Sequence, residues 1–422
     1  MMLNDWLNYI HTTHDKTMDF RLERLIPLAK SLNLVPANYY IITVAGTNGK
    51  GTTAALISQI LVNAGLNVGT FTSPHLFCYN ERIKLNTKNI DDRSLCQAFN
   101  TVDVARKKNS AKVTEFEFGF LAALTVFKKT NIDIAVLEVG LGGRLDAVNI
   151  MDANLAIVTS IGLDHMDRLG NTLESIANEK AGIFRAQTPV VCGDPHPPST
   201  LVTRANTLNC PVYIANQAFD YELGITDWQW HSKQHSLLAL PKPNIPIENA
   251  ATALMAIKLL PDSIQITRAH IAKALKNCVV PARLQQVQSA PEVILDVAHN
   301  EPAAQSLANA LTAKKSPNGK TIAVFSCLKT KAIDRILLAM KNCVDLWCCA
   351  PLPVENALDA EALALHLDDF SHHLFNHIED AYRRAAQVAT KHDRIVVFGS
   401  FHVVTKVWPL IHPALTDYCS ID

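Results

Sequence analysis

The sequence predicts an α/β fold of two mostly parallel sheets, the first in a phosphate-loop domain and the second in a smaller C-terminal domain. Three observations predict it. Apolar strand-like runs alternate with helix-like segments along most of the 422 residues, as expected of parallel strands joined by helical crossovers. A glycine-rich turn, Gly46–Thr52, stands between one such run and the next helix. After a proline-rich break the alternation begins again.

In the first half, 40–45, 67–71, 132–138 and 153–160 read as strands, and 52–64, 115–129 and 173–184 as helices. Residues 221–240 alternate aromatic and polar side chains, including Asp227-Trp228-Gln229-Trp230-His231, and read as an antiparallel excursion. The three prolines of 241–246 argue against regular structure there. Helical patterns return at 247–260 and 267–277. The second alternation places strands at 293–297, 320–325, 346–349 and 394–398, with helices at 301–313, 331–342 and 378–391. A domain boundary is expected within 280–288, giving segments 1–284 and 285–422.

The chain is 48% hydrophobic and 18% charged, too apolar for a disordered protein. Lys plus Arg equals Asp plus Glu at 39 each. Generic attraction to nucleic acid or to an anionic membrane is therefore not supported, although a local basic pocket is compatible with zero net charge. The ten cysteines include no CxxC pair, and they read as reduced thiols of a cytoplasmic protein. The first residues, MMLNDWLNYIHTTHDK, lack a basic start followed by an apolar run. No stretch approaches the roughly 20 apolar residues of a membrane span.

The segment Gly46-Thr47-Asn48-Gly49-Lys50-Gly51-Thr52-Thr53 follows a strand and opens a helix, the context a phosphate loop needs. Glycines let the backbone curl so that its N–H groups point inward, and the helix start adds further unpaired N–H groups. A lysine there neutralises phosphate charge, and a threonine hydroxyl can sit on Mg²⁺. The pattern departs from the usual Walker form. Val44 stands where a glycine is expected, and Gly51 rather than Ser or Thr follows Lys50. A tight turn capping a helix is the plainer alternative.

This loop resembles the signature of the Mur-ligase superfamily, and within it the folylpolyglutamate synthases. Other segments agree in order: Ser73-Pro74-His75, the string from Leu137 to Asp146 (LEVGLGGRLD), Thr159 to His165 (TSIGLDH), Glu179 to Phe184 (EKAGIF), Pro281-Ala282-Arg283, Asp296 to Asn300 (DVAHN) and Gly399 to His402 (GSFH). The resemblance spans nearly the whole chain. It implies a Mur-ligase-type central ATPase domain, a Rossmann-like C-terminal domain and ATP in the cleft between them. It also implies amide-bond formation between L-glutamate and dihydropteroate or reduced folates, through an acyl phosphate.

By family matching, Ser73, Glu138 and His165 would contact metal, with two Mg²⁺ ions serving the ATP. Glu138 ends an apolar strand, where ligand-binding residues of open α/β sheets sit; a capping or salt-bridged glutamate is the alternative. Histidine is a softer ligand than Mg²⁺ usually takes, so the motif alone supports His165. Lys180 lies on a helix, where most lysines are solvated, but the matching lysine of the family is carbamoylated. Lys50, His165 and Lys180 form the expected catalytic set.

ATP contacts are expected at Thr47, Asn48, Gly49, Lys50, Gly51 and Thr52, and at Asn249, Arg283, Asp296 and His299. A surface arginine at 283 and a helix-capping aspartate at 296 are the alternatives. The acceptor acid is expected at Asp19, Phe20, Arg21 and Leu22, at Thr114, Glu115, Phe116 and Glu117, and at Leu145, Asp146 and Ala147. Phe20 and Phe116 would stack on an aromatic ring system, or else are core.

Two other functions compete with the folate ligase. One is a ligase for a cell-wall nucleotide precursor. The string at 137–146 argues against it, as does the phosphate loop at residue 46, which leaves no room for a preceding recognition domain. The other is a non-catalytic ATP-binding switch, disfavoured by the set Lys50, Glu138, His165 and Lys180. The expected partners are small molecules, with no nucleic acid and no membrane, acting on a monomer.

Overall fold

A computed structural model describes residues 1–412 apart from Thr17, Phe20, 314–318 and Glu355. It divides into two compact units. One holds Met1–Pro243 and Ile247–Cys278; the other holds Asn244–Pro246 and begins again at Val279.

The strands of the first unit are β1 (Tyr40–Ala45), β2 (Val68–Phe71), β3 (Ile83–Leu85), β4 (Lys88–Asn89), β5 (Ile134–Glu138), β6 (Leu155–Val158), β7 (Val190–Cys192) and β8 (Val212–Ile214). They form one sheet in the order β4-β3-β2-β5-β1-β6-β7-β8. All pairings are parallel except those of β3 and β4, which run antiparallel at one edge. The runs VGTF, IAVLE and LAIV are buried at every residue. Their continuous rather than alternating apolarity follows from cover on both faces of the sheet.

The register sets up the site. Val44 of β1 pairs with Glu138 at the end of β5 and with Ile157 near the end of β6. The three chains therefore leave the sheet at one carboxyl-terminal edge, at Gly46, Val139 and Thr159, where open α/β sheets place ligands.

Helices Asp92–Lys108 and Glu115–Lys129 share a phenylalanine-rich core with the sheet. Phe71 lies 5.2 Å from Phe120, and Phe99 lies 5.7 Å from Phe118, between ring centroids. The predicted antiparallel excursion is a separate sheet of three strands, β9 (Phe219–Leu223), β10 (Asp227–Ser232) and β11 (Ser236–Pro241), in the order β11-β10-β9. Trp228 and Trp230 point inward, and the Trp230 indole donates to the Ala251 carbonyl on helix Ile247–Lys258 at 3.1 Å. Regular structure runs one residue into the proline-rich break. Pro241 closes β11, an edge strand, where a missing N–H costs no ladder bond.

The second unit contains β12 (Gln285–Ser289), β13 (Glu292–Leu295), β14 (Thr321–Phe325), β15 (Leu346–Cys349), β16 (His372–Leu374) and β17 (Arg394–Phe398). The order is β12-β13-β17-β14-β15-β16, parallel except for β12. Phe325, Trp347 and Phe398 fill its core, with ring centroids 5.0–6.0 Å apart.

Helix Lys50–Asn63 begins two residues before the predicted start, because the left-handed Gly49 delivers Lys50 directly into the first turn. Among the described residues no helix is long and apolar enough to cross a membrane. Nine cysteines there form no disulfide, and all are buried except Cys96.

Candidate active site

The phosphate loop is held from behind by the segment that follows β6. The Thr47 N–H donates to the Ser160 carbonyl at 2.8 Å, and the Asn48 N–H to the Ser160 hydroxyl at 3.0 Å. Thr159 donates its hydroxyl to the Asn48 carbonyl at 2.6 Å. The Thr47 hydroxyl donates to the Gly162 carbonyl and accepts from the Gly162 N–H. Thr159, Ser160 and Gly162 belong to the TSIGLDH string, and these bonds give that string a structural reason.

One glycine of the loop is forced both by its backbone and by close approach. Gly49 has φ of 82°, in the left-handed region, and a Cβ there would lie 2.2 Å from Asn249 Oδ1. Asn249, predicted as an ATP contact from a helix some 200 residues away, is thus brought against the loop. The Lys50 ammonium donates back to the Gly46 and Thr47 carbonyls at 3.1 and 3.2 Å, so it lies across the mouth of the loop.

Glu138 is 4% exposed at the tip of β5. Its Oε2 accepts the Ser73 N–H at 3.0 Å. A Cβ on Gly51 would lie 3.2 Å from that oxygen. Glu138 therefore sits over the first turn of the helix, with Ser73 and Gly51 against it. No group of three or more His, Cys, Asp or Glu able to hold a metal occurs among the described residues. The set fits Mg²⁺ all the same. That ion keeps waters and is held by one or two carboxylates plus substrate phosphates rather than by an all-protein cage.

Lys180 is 2% exposed on helix Leu173–Ala181, so the reading of a solvated helical lysine does not hold. Burial pushes its amine down to about 7, the charge of Lys50 adds to this, and Asp164 opposes it. The burial is produced by the LGGR segment. A Cβ on Gly143 would meet the Glu179 carbonyl at 2.8 Å, and one on Gly182 would meet Arg144 Cβ at 2.3 Å. Arg144 also binds the Glu179 carboxylate at 2.8 Å. His165 is exposed, in a left-handed conformation, and starts the short helix Met166–Leu169.

The residues expected to take the acceptor acid come from three segments. Asp19, in the N-terminal loop, is bound by Arg21 and lies 3.3 Å from His14 and 3.4 Å from Arg24. Hydrogen bonding to Arg21 holds its carboxyl well below the usual range. Arg24 also binds Glu117, which forms a capping box with Thr114 at the start of helix Glu115–Lys129. Leu22 begins the turn leading to Arg24. Phe116 packs over Gly140, where a Cβ would meet its ring at 2.7 Å, and against Phe71 at 5.6 Å. Asp146, 7% exposed, accepts the Leu141 and Val148 N–H groups at 2.9 Å. Burial pushes its carboxyl up to about 6 against those bonds and the charge of Lys50. Leu145 and Ala147 flank it. Phe20 lies outside the described residues.

In the second unit Asp296 follows β13 and accepts the Leu284 and Ala298 N–H groups at 2.7 Å each. It does not cap the next helix; Asn300 does so, by accepting the Ala303 N–H. Arg283 lies over the Phe401 ring at 5.1 Å, and His299 packs on the same ring at 6.3 Å. Arg283, Asp296 and His299 thus meet around the GSFH segment. Residues absent from the sequence-based set are Thr159, Ser160 and Asp164, which lie in a quoted motif, and Glu81 and Arg82, which do not.

A parallel sheet with a phosphate loop at its carboxyl edge, a buried carboxylate over that loop and a second α/β unit define a Mur-type ligase. The Mur ligase middle domain matches residues 44–213, and the Mur ligase glutamate ligase domain matches 282–401. The dihydrofolate synthase/folylpolyglutamate synthase of Haemophilus influenzae is 39% identical over 97% of both chains. The structure of E. coli FolC in complex with DHPP and ADP has a TM-score of 0.92 at 39% identity, covering 97% of this chain and 98% of that one. A bifunctional folylpolyglutamate synthase/dihydrofolate synthase with Mn, AMPPNP and L-glutamate bound has a TM-score of 0.89 at 39% identity, covering 98% of both. The chain belongs to the dihydrofolate synthase/folylpolyglutamate synthase family.

Proposed function

We propose that this protein is an ATP-dependent ligase that joins L-glutamate to dihydropteroate, giving dihydrofolate, and adds further glutamates to reduced folates. The observation that carries the reading is Glu138 seated over the first turn of the phosphate-loop helix, 3.2 Å from where a Gly51 Cβ would stand. In this reading residues 1–284 bind ATP and the folate acid, and 285–422 form the glutamate-ligase domain.

A carboxylate resists attack by an amine because its leaving group is poor. Transfer of the γ-phosphoryl group to the acceptor carboxylate gives an acyl phosphate with a good leaving group. The glutamate amine, having lost its proton, attacks the acyl carbon, and phosphate departs from the tetrahedral intermediate. The chain's part is to orient and to neutralise charge. The N–H groups of Gly49–Thr52 and the ammonium of Lys50 bind phosphate oxygens, while Thr47 and Asn48, whose own N–H groups are held by Ser160, shape the loop. Glu138, Ser73 and His165 hold the metal side, and Asn249, Arg283, Asp296 and His299 hold the nucleotide. Bound Mg²⁺ supplies Lewis-acid charge on the phosphate oxygens.

Lys180 is buried with its amine at about 7, so much of it is neutral at neutral pH. A neutral amine adds to CO₂, releasing one proton and leaving a carbamate anion beside Lys50. That reaction converts a costly buried cation into a partner for Lys50, and it supports carbamoylation here. Asp19, Arg21, Leu22, Thr114–Glu117 and Leu145–Ala147 line the acid site. Cysteines held as thiols rather than disulfides among the described residues support a reducing, cytoplasmic setting, and we read the enzyme as a monomer.

The test is ADP release with glutamate and each acceptor in turn: dihydropteroate, tetrahydrofolate and a cell-wall precursor. ADP and phosphate should form only with the folate acids, and Lys50→Ala should abolish this. AMP and pyrophosphate as products would exclude the mechanism.

A further inference from the structure

The segment between β2 and β3 has two ends with different neighbours. At one end the Ser73 N–H meets Glu138. At the other, Arg82 Nη1 lies 3.7 Å from Glu115, at the start of the helix that carries the acceptor residues. Between them the backbone is pinned by one carboxylate: Glu81 accepts the N–H groups of Leu76, Phe77 and Cys78 at 2.7–2.8 Å. The Thr72 N–H closes the loop onto the Arg82 carbonyl at 3.0 Å.

Inside this loop Arg82 Nε donates to His75 Nδ1 at 2.9 Å. A guanidinium only donates, so His75 Nδ1 is an acceptor, and the ring orientation is fixed from within the loop. Arg82 also lies over the Tyr79 ring at 4.8 Å, and Tyr79 packs against His75 at 5.7 Å. The Arg82 side chain is 14% exposed. Three contacts on one largely buried guanidinium, to an imidazole, an aromatic face and a carboxylate, exceed what holding a surface loop requires. They join the Ser73–Glu138 contact to the acceptor helix through a single side chain.

We propose that Arg82, acting through His75, is a positioning residue of the ligase reaction. It fixes the Ser73 loop on Glu138 in register with the acceptor helix at Glu115, and so sets the separation between the acceptor carboxylate and the phosphate end of ATP. The proposal rests on the ligase reading for its reaction, and on the geometry alone for its linkage. Misplacing reacting groups by about 1 Å costs on the order of 100-fold in rate, so the effect falls on turnover rather than on nucleotide binding.

The test compares Arg82→Met, His75→Leu, His75→Asn and the Arg82→Met/His75→Leu double variant. Acceptor-dependent ADP release and thermal midpoint are measured for each. Mn²⁺ affinity with AMPPNP is followed by electron paramagnetic resonance. Arg82→Met and His75→Leu should each lower kcat by roughly 10- to 100-fold with the KM for ATP within about twofold of the parent. His75→Asn, whose Oδ1 can accept the same bond, should recover most of the loss. The double variant should lose no more than the worse single one, because both break one linkage. Mn²⁺ affinity should fall several-fold in Arg82→Met. Additive losses, no rescue by Asn, or a fall in thermal midpoint with kcat unchanged would each overturn the proposal. If the parent enzyme shows no acceptor-dependent ADP release, the ligase reading fails. The linkage is then judged by Mn²⁺ affinity alone, and an unchanged value in Arg82→Met refutes it.

Discussion

Gly51 leaves room for Glu138. A methyl group at position 51 would stand 3.2 Å from Glu138 Oε2 and 3.5 Å from Oε1, tight for a Cβ beside a carboxylate that has its own partner in Ser73. Position 51 lies in the first turn of helix Lys50–Asn63, where alanine is favoured over glycine by up to about 1 kcal/mol. The two effects oppose each other, and they act on different observables. Gly51→Ala should leave the thermal midpoint unchanged or raise it slightly, while the Mg²⁺ concentration for half-maximal activity rises several-fold. Gly51→Val should lose activity far more steeply. An unchanged Mg²⁺ requirement in both variants would mean that Glu138 does not hold the metal.

Lys180 supplies a pH signature. Its amine is lowered by burial to about 7 in the folded chain, against about 10.4 in an unfolded one. Between those values the unfolded state binds a proton that the folded state does not, so stability rises with pH across this window. The penalty is fully present below pH 7. Lys180→Met removes it, so in bicarbonate-free buffer the variant should melt higher than the parent at pH 6. That advantage should shrink toward pH 9, and the variant should be inactive at both. A parent that melts higher at pH 6 would show that the buried amine is compensated by something other than proton loss.

Arg24 ties the N-terminal loop to the acceptor helix by binding Asp19 and Glu117 together, with both carboxylates 3–4% exposed. Removing one partner of a buried ion pair costs about 3–5 kcal/mol. Arg24 is 20% exposed, and Asp19 keeps Arg21 and His14, so Arg24→Ala should cost roughly 2–3 kcal/mol. Urea unfolding reads this as a lowered midpoint at unchanged slope. The KM for the acceptor acid should rise with the KM for ATP unaffected. Equal changes in both would place Arg24 outside the acceptor site.

The parts of this site that can be read in the sequence are those made by neighbours in the chain. The strand-turn-helix at 40–63, the carboxylate that ends β5 and the one that follows β13 come from local pattern. Lys180 could not be read that way. Its burial comes from Gly143 and Arg144 lying against the helix backbone, and the one local trace, Gly182, does not say which segment approaches. Glu81 left a local trace, as the third residue of a short helical turn after Cys78. Arg82 left none, because its partners His75 and Glu115 are placed by the sheet. Helix Asp92–Lys108 went unpredicted although Asp91 caps it; its polar composition hides a buried face of Leu95, Ala98, Phe99 and Val102. Helix Phe401–Ile411 carries Pro409 in its last turn, a residue that argues against a helix until the tertiary packing of Val403, Val404, Val407 and Trp408 is known.

Asp296 offers the sharpest test of the second unit. Both of its oxygens accept backbone N–H groups, from Leu284 and Ala298, at 2.7 Å. Burial raises its carboxyl pKa and Arg283 opposes the rise. An asparagine has a single acceptor oxygen, so Asp296→Asn turns an amide NH₂ toward one of those N–H groups. Leaving that donor unpaired costs about 1–3 kcal/mol. The turn that carries Arg283 is held by the Leu284 bond, so it should loosen, although the Arg283 packing on Phe401 remains. The KM for ATP should rise about tenfold, with kcat at saturating ATP falling much less, as expected when ground-state and transition-state binding are lost together. An unchanged KM for ATP with a lowered melting temperature would make Asp296 a structural residue of the turn and remove it from the nucleotide site.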